Sequence, residues 1–326
     1  MKTKRLQTVL VATATLLAAL WSPSSTAQTY PTKPIRIVVP WSAGGSTDAI
    51  GRTLAARLSE TIGQQVIVEN KPGAGGTLGV DQVAKSTPDG YTLTVIELPH
   101  ASAQALLSKV PYDLNTDLVA IAHLGSAPMI LFASAQMKAG NLKEVVAVSR
   151  EGKGLSFATV GNGSVSHLIG ETIQRQSGAK FVYVAYKGGA PALLDLSAGE
   201  VQLFFATLAT GNATLQTGRI KAIGVTSARR LPALPDVPTV AESGFDDLRV
   251  EQWWGLVAPA KTPPEILEKL RTEVAIAMNH ASLKERLAAL SIEPPTMSPT
   301  QFQAYVGNEV KRWNKVARDA NIRVED

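Results

Sequence analysis

The chain has 326 residues, a formal net charge of +5 and no cysteine, so thiol catalysis, disulfide frameworks and thiolate zinc sites are excluded. The basicity belongs partly to Lys2, Lys4 and Arg5 at the N-terminus; without them the formal charge falls to about +2, which gives no footing for nucleic acid. Beyond the first residues no apolar run of about 18 residues without charge occurs, so a soluble body of about 300 residues, usually two domains, is expected.

The three basic residues are followed by an uncharged, largely apolar run from Val9 to Trp21 and then by Ser25-Thr26-Ala27. This order reads as a secretory signal over residues 1–27, cleaved after Ala27 and leaving a periplasmic, monomeric protein. A membrane anchor needs about 20 apolar residues, whereas this run gives way to Ser22-Pro23-Ser24-Ser25.

Next comes an apolar strand at Ile35 to Val39, then a helix from Thr47 to Ile62 in which Ile50, Leu54, Leu58 and Ile62 recur every four residues beside Ala55. That is the stripe of a helix packed on a sheet. A strand at Val66 to Val68, a helix from Thr77 to Lys85 and a strand at Tyr91 to Ile96 follow. Strands alternating with helices predict right-handed βαβ crossovers, a parallel sheet and an α/β fold class.

The pattern recurs with strands expected at Met129 to Phe132, Leu155 to Ala158, Phe181 to Ala185, Val201 to Ala206 and Ile220 to Thr226, with helices between the first four. Asn141 and Glu144 resemble a capping box, Pro191 suits a first helical turn and Gly199 a helix stop. After a proline-rich crossing from Leu231 to Pro238, Ser298-Pro299 opens a helix. Its Phe302, Tyr305, Val306, Val310, Trp313, Val316 and Ala320 form one apolar face. The first lobe has only three clear strands, so it is expected to recruit the C-terminal helices. Its bounds are then 28–126 plus 250–326, with 127–249 as the second lobe.

Pro40-Trp41-Ser42-Ala43-Gly44-Gly45-Ser46-Thr47-Asp48 lies between the first strand and its helix. Two glycines let backbone approach a ligand, Ser46 is placed to cap the helix, and the free N–H groups of a first turn attract an anion. A tight βα turn has the same appearance, and Asp48 stabilises a helix dipole in any protein. The weight shifts because Pro72-Gly73-Ala74-Gly75-Gly76 occupies the same place after the second strand. Ligands of open parallel sheets bind outside the carboxyl ends of strands. Thr159 to His167, with Gly163, Ser164 and Ser166, and Tyr186-Lys187-Gly188-Gly189-Ala190-Pro191 repeat the geometry in the second lobe. No P-loop lysine and no GxGxxG order follow, so nucleotide binding is not expected.

An enzyme finds little support. Ser166 and His167 are neighbours whose side chains diverge on a helix, no GxSxG elbow exists, and His100, His123 and His280 are scattered. No metal site, cofactor or catalytic residue is expected; His167 reads as a helix-start residue or cleft donor, and Trp253-Trp254 as packing.

At these loops the sequence resembles the extracytoplasmic solute receptors of tripartite tricarboxylate transporters, the Bug family. The resemblance runs through PWSAGGSTD, VENKPGAGGTLG, TPDGYTL, GNGSVSHLIGE, VAYKGGAPALLDLSAG and GRIKAIGVTSARRLPALPDVPTVAESG, nearly the whole chain after the signal. It implies a type II periplasmic-binding-protein fold, a small carboxylate ligand in a cleft between two lobes, and a membrane permease as partner. Carried over by motif, the carboxylate loop looks like Ser42 to Thr47, the second glycine loop Gly73 to Gly76, the serine turn Gly163 to Ser166, and the last loop Tyr186 to Gly189. Glu97-Leu98-Pro99-His100 departs from the small residues expected after the third strand, and Trp41 stands where phenylalanine is usual. A ligand sensor for a membrane kinase, or an enzyme on the same fold, remain the alternatives. The four loops hold no arginine and one cation, Lys187. The expected grip is therefore backbone N–H groups from Ala43 to Thr47 with the hydroxyls of Ser164 and Ser166, rather than a guanidinium clamp.

Overall fold

The computed structural model describes residues 30–106, 109–161, 164–246 and 248–319. The expected signal over residues 1–27, Gly163, and the Val316 and Ala320 side chains lie outside what it describes. From Lys33 onward the chain forms one compact unit that contains two five-stranded sheets.

In the first sheet β1 (Ile35–Val39) lies between β2 (Val66–Asn70) and β3 (Thr92–Glu97), parallel to both. Helix α1 (Ser46–Ile62) covers it with the anticipated stripe, and Ile50, Leu54, Leu58 and Ile62 are all buried. Each such side chain contributes about 1.5–3 kcal/mol as an upper bound. Helix α2 (Thr77–Ala84) follows β2, and α3 (Leu98–Leu106) starts directly from the end of β3.

Two further strands complete this sheet, and the sequence pattern announced neither. They are β4 (Leu118–Pro128) and, from far along the chain, β10 (Glu251–Pro259), which inserts between β3 and β4 in the order β2-β1-β3-β10-β4. The sheet is therefore mixed, not parallel as expected, because β10 runs antiparallel to both neighbours. The reason is directional: β4 leaves toward the other lobe, β10 returns from it, and a strand that enters where its neighbours end must point the opposite way.

The second sheet has the same plan. Its strands are β5 (Ile130–Ser134), β6 (Leu155–Thr159), β7 (Phe181–Ala185), β8 (Leu203–Ala206) and β9 (Ile220–Val225), in the order β7-β6-β8-β5-β9. Here β5 is the entering strand and is antiparallel to β8 and β9. The helices are α4 (Leu142–Arg150), α5 (Val165–Ser177), α6 (Gly189–Ala198) and α7 (Leu208–Gln216); the last was not anticipated. Asn141 caps α4 by accepting from the Glu144 N–H, and Glu144 reaches back to the Gly140 N–H and the Asn141 side-chain amide, a variant of the expected capping box shifted one residue outward.

C-terminal helices α8 (Pro264–Asn279), α9 (Ala281–Ala289) and α10 (Pro299–Asp319) return to the first lobe, α8 and α10 packing on β4 and α9 on α8 and α1. Phe302 of α10 meets Trp253 of β10 edge-to-face with ring centroids 5.5 Å apart, and both are buried. Where the chain crosses between lobes, Thr226 ties the crossings together. Its Oγ1 accepts from the Met129 N–H at 2.9 Å and donates to the Val250 carbonyl at 2.6 Å, while its own N–H donates to the Met129 carbonyl at 2.9 Å.

Candidate ligand-binding site

The loop from Trp41 to Asp48 is shaped by its own acid. Asp48 accepts hydrogen bonds from the Gly44 N–H and Arg52 Nε, each at 3.0 Å, and from Asn70 Nδ2 at 2.9 Å. Asn70 also holds the Trp41 carbonyl at 3.0 Å. Burial pushes the Asp48 pKa up, but the bonds from Arg52, Gly44 and Asn70 outweigh it and the net shift is downward. Asp48 is thus a shaping group. Ser46 does not cap α1 as expected: Gly45 is the N-cap without a side-chain bond, and Ser46 is the first helical residue. Its N–H is satisfied across the cleft by Thr210 Oγ1 at 3.2 Å.

Glu97, the last residue of β3, is the polar centre of the same wall. Its Oε2 accepts from Thr47 Oγ1 at 2.7 Å and Gln252 Nε2 at 2.5 Å, and Trp254 Nε1 donates to Thr47 Oγ1 at 3.1 Å. The Trp41 indole N–H favours the carboxylate electrostatically but completes no hydrogen bond. Burial outweighs these donors and raises the Glu97 pKa to about 7. His100, one helical turn on, accepts the Glu97 N–H on Nδ1 at 2.9 Å and is pushed down to about 4 by burial. Gly76 must be glycine: its φ is +89°, and a Cβ there would come 2.7 Å from His100 Nε2 and 2.9 Å from Trp41.

Opposite lies the second lobe. Ser164 caps α5, its Oγ accepting from the His167 N–H at 3.4 Å and lying 3.1 Å from Ser166 Oγ. His167 stacks edge-on against Tyr183 at 4.7 Å, and burial lowers its pKa. Tyr186 donates to Asp195 at 2.8 Å. The Lys187 carbonyl accepts from the Ser42 N–H at 3.3 Å and Ser42 Oγ at 3.2 Å, so the two lobes touch here. Gly188 permits that approach, since with φ +156° a Cβ would lie 3.2 Å from the Ser42 nitrogen.

Between these walls is a cavity of about 70 Å³. From the first lobe it is lined by Trp41, Gly45, Ser46, Thr47, Glu97 and Gln252, and from the second chiefly by Val160, Val165, Phe204, Phe205 and the hydroxyls of Ser166, Thr207 and Thr210. A second chamber of about 190 Å³ shares Trp41 and Val160 and adds Gly75, Gly161, Tyr186 and Lys187. Of the residues singled out from sequence, Trp41, Gly45, Ser46, Thr47 and Ser166 line the inner chamber, and Gly75, Tyr186 and Lys187 the outer. Ser42, Ala43, Gly44, Asp48, Ser164, His167 and Gly188 line neither; Ser42, Gly44, Asp48 and Gly188 shape the loops or their contact. The expected backbone cradle from Ala43 to Thr47 narrows, because the N–H groups of Gly44 and Ser46 already have protein partners. Sequence reasoning missed Phe204, Thr207, Thr210 and Gln252. The signal for Thr207 and Thr210 was their place just after a buried strand, where the other ligand loops also begin. A larger cavity of about 550 Å³ beside α8 lies away from all four glycine loops.

Among the described residues no side-chain cation lines the inner chamber, yet the first turns of five helices do. These are Ser46 and Thr47 of α1, Pro99 of α3, Val165 and Ser166 of α5, Gly189 of α6, and Thr207 before α7 with Thr210 within it. Each helix N-terminus carries about half a positive charge, so the chamber attracts an anion without an ion pair.

Residues 50–322 match the model of the tripartite tricarboxylate transporter family receptor. The chain belongs to that family. It is 32% identical over 320 residues to BugT of Bordetella pertussis, covering 97% of each chain. Among solved structures, the periplasmic binding protein BugD superposes with a TM-score of 0.86 at 33% identity, covering 91% of this chain and all of that one. MatC of Rhodopseudomonas palustris with bound malate gives a TM-score of 0.84 at 33% identity, covering 88% of this chain and 99% of that one. The family is one of solute-binding receptors, and this receptor has its two-lobed periplasmic-binding-protein fold.

Proposed function

We propose that this receptor captures a small carboxylate in the inner chamber, in the periplasm, and hands it unchanged to membrane permease subunits of a tripartite tricarboxylate-type transporter. The observation that carries the carboxylate reading is the convergence of five helix N-termini on a chamber that, among the described residues, no side-chain cation lines. The ligand carboxylate lies against Gly45 to Thr47, with the hydroxyls of Ser166, Thr207 and Thr210 opposite and water bridging where they do not reach. Malate in MatC supports this class of ligand. We further propose export of the chain as a monomer with cleavage after Ala27, and lobe bounds at 126/127 and 249/250, next to the segments that Thr226 ties together.

Thermal melting of the exported chain against small mono-, di- and tricarboxylates tests the reading. A carboxylate at about 100 times its dissociation constant should raise stability by about 2.7 kcal/mol. Flat melts across the panel, with protein proven free of ligand, count against it, and release of a chemically altered ligand argues for catalysis.

A further inference from the structure

Among the described residues, Glu97 is the only ionisable one lining the inner chamber. It sits immediately before α3 and faces the same space as the four other helix N-termini. Its surroundings are neutral: Thr47, Gln252 and the indoles of Trp41 and Trp254. The nearby cation, Arg52, is turned outward, half exposed, and engaged by Asp48 and Asn70. Both hydrogen bonds from side chains to Glu97 end on Oε2, and among the described residues none closes on Oε1. A buried carboxyl with an open acceptor and no counter-ion is matched by a donor and opposed by another anion. Among the described residues, no other side chain lining the chamber carries a charge that discriminates between a carboxylate and a nitrogen terminus.

We propose that Glu97 is a specificity-determining residue. It accepts a hydrogen bond from an amide or ammonium nitrogen at the ligand's second polar terminus, on the same first-lobe wall as the carboxylate loop, and it excludes a second carboxylate from that position. This rests on the carboxylate reading above and narrows it: α1, α5, α6 and α7 hold the ligand's anion, while α3 has its own in Glu97. The raised pKa of Glu97 agrees with a carboxyl that lacks a partner the ligand can supply.

The test is calorimetry on the mature chain at about pH 8, where a carboxyl of pKa about 7 is mostly ionised. Succinate is compared with succinamate, and malate with its half-amide, so that each pair differs only in one terminus. The half-amide should bind at least about tenfold more tightly than its diacid. In Glu97→Gln, whose carboxamide both donates and accepts, the pair should converge to within about threefold. A diacid that binds wild-type protein as tightly as its half-amide overturns the proposal, as does a preference unchanged in Glu97→Gln. The wild-type ratio stands alone if that variant does not fold. If neither pair nor any other carboxylate binds, the carboxylate reading itself falls, an outcome distinct from binding without preference.

Discussion

The two walls of the inner chamber come from sheets with the same strand order and the same single reversed strand, yet their chemistry differs. The first-lobe wall is a chain of hydrogen bonds from Trp254 through Thr47 to Glu97 and on to Gln252. The second-lobe wall is built on Val160, Val165, Phe204 and Phe205, with hydroxyls at its rim. Shared topology therefore explains where the loops lie and says nothing of what they grip. On the proposed reading the difference orients a ligand, with its polar termini toward the first lobe and the helix ends and its carbon body on the phenylalanines.

The strongest way to break this comparison is to fill the chamber from the first wall. A Cβ added at Gly45 meets nothing within 4 Å, so Gly45→Val projects into the ligand space. Calorimetry should show binding weakened more than about a hundredfold, equivalent to about 3 kcal/mol, while stability falls by no more than about 1 kcal/mol, the cost of a poorer N-cap. Retained affinity would place the carboxylate elsewhere.

The next effect concerns the first wall alone. Glu97 ionises at about 7 in the folded chain against 4.5 in the unfolded one, so the folded state holds its proton longer. That contribution to stability is full below pH 4.5 and is lost as pH rises to about 7. Glu97→Gln should escape the loss, by on the order of 3 kcal/mol above pH 7 and by little below pH 4.5. Urea unfolding of both proteins across this range measures the gap. His100 and His123, each pushed to about 4 by burial, act oppositely, and their contribution is lost as pH falls from 6.5 through 4. A gap that does not widen with pH would show Glu97 to be solvated.

The smallest effect belongs to the second wall. Lys187 reaches the first lobe through its backbone carbonyl, which takes both bonds from Ser42. Lys187→Ala keeps that carbonyl and should cost binding less than about 1 kcal/mol. Loss of binding in this variant would mean that the ammonium group, not the helix ends, neutralises the carboxylate.

Much of this architecture was legible in the sequence, and the misses have physical causes. The Ile50, Leu54, Leu58 and Ile62 stripe announced α1 because a 3.6-residue period survives any tertiary context. The loops after β1 and β2 announced a ligand face because glycine and a following helix leave few alternatives. β10 could not be read this way: its partners β3 and β4 lie more than a hundred residues upstream, and pairing across such a gap leaves no local period. Register shifts at Trp254/Gly255 and Leu256/Val257 mark the irregular pairing of β10 with β4. Ser46 looked like a cap because serine is a good one, but Thr210 from the other lobe supplies the oxygen. Glu97 was visible as a departure from the pattern; that it faces the chamber depends on Thr47 and Gln252, which only folding brings beside it.

Thr226 has a mechanical consequence. Two crossings that run independently between bodies leave those bodies free to slide and twist as well as to swing. Here one side chain and its backbone N–H bind the outgoing crossing at Met129 and the returning one at Val250. The crossings are expected to bend as a single strip, so that any opening of the lobes runs along essentially one coordinate. One distance, between a label on each lobe, is then sufficient to follow the whole opening of the receptor.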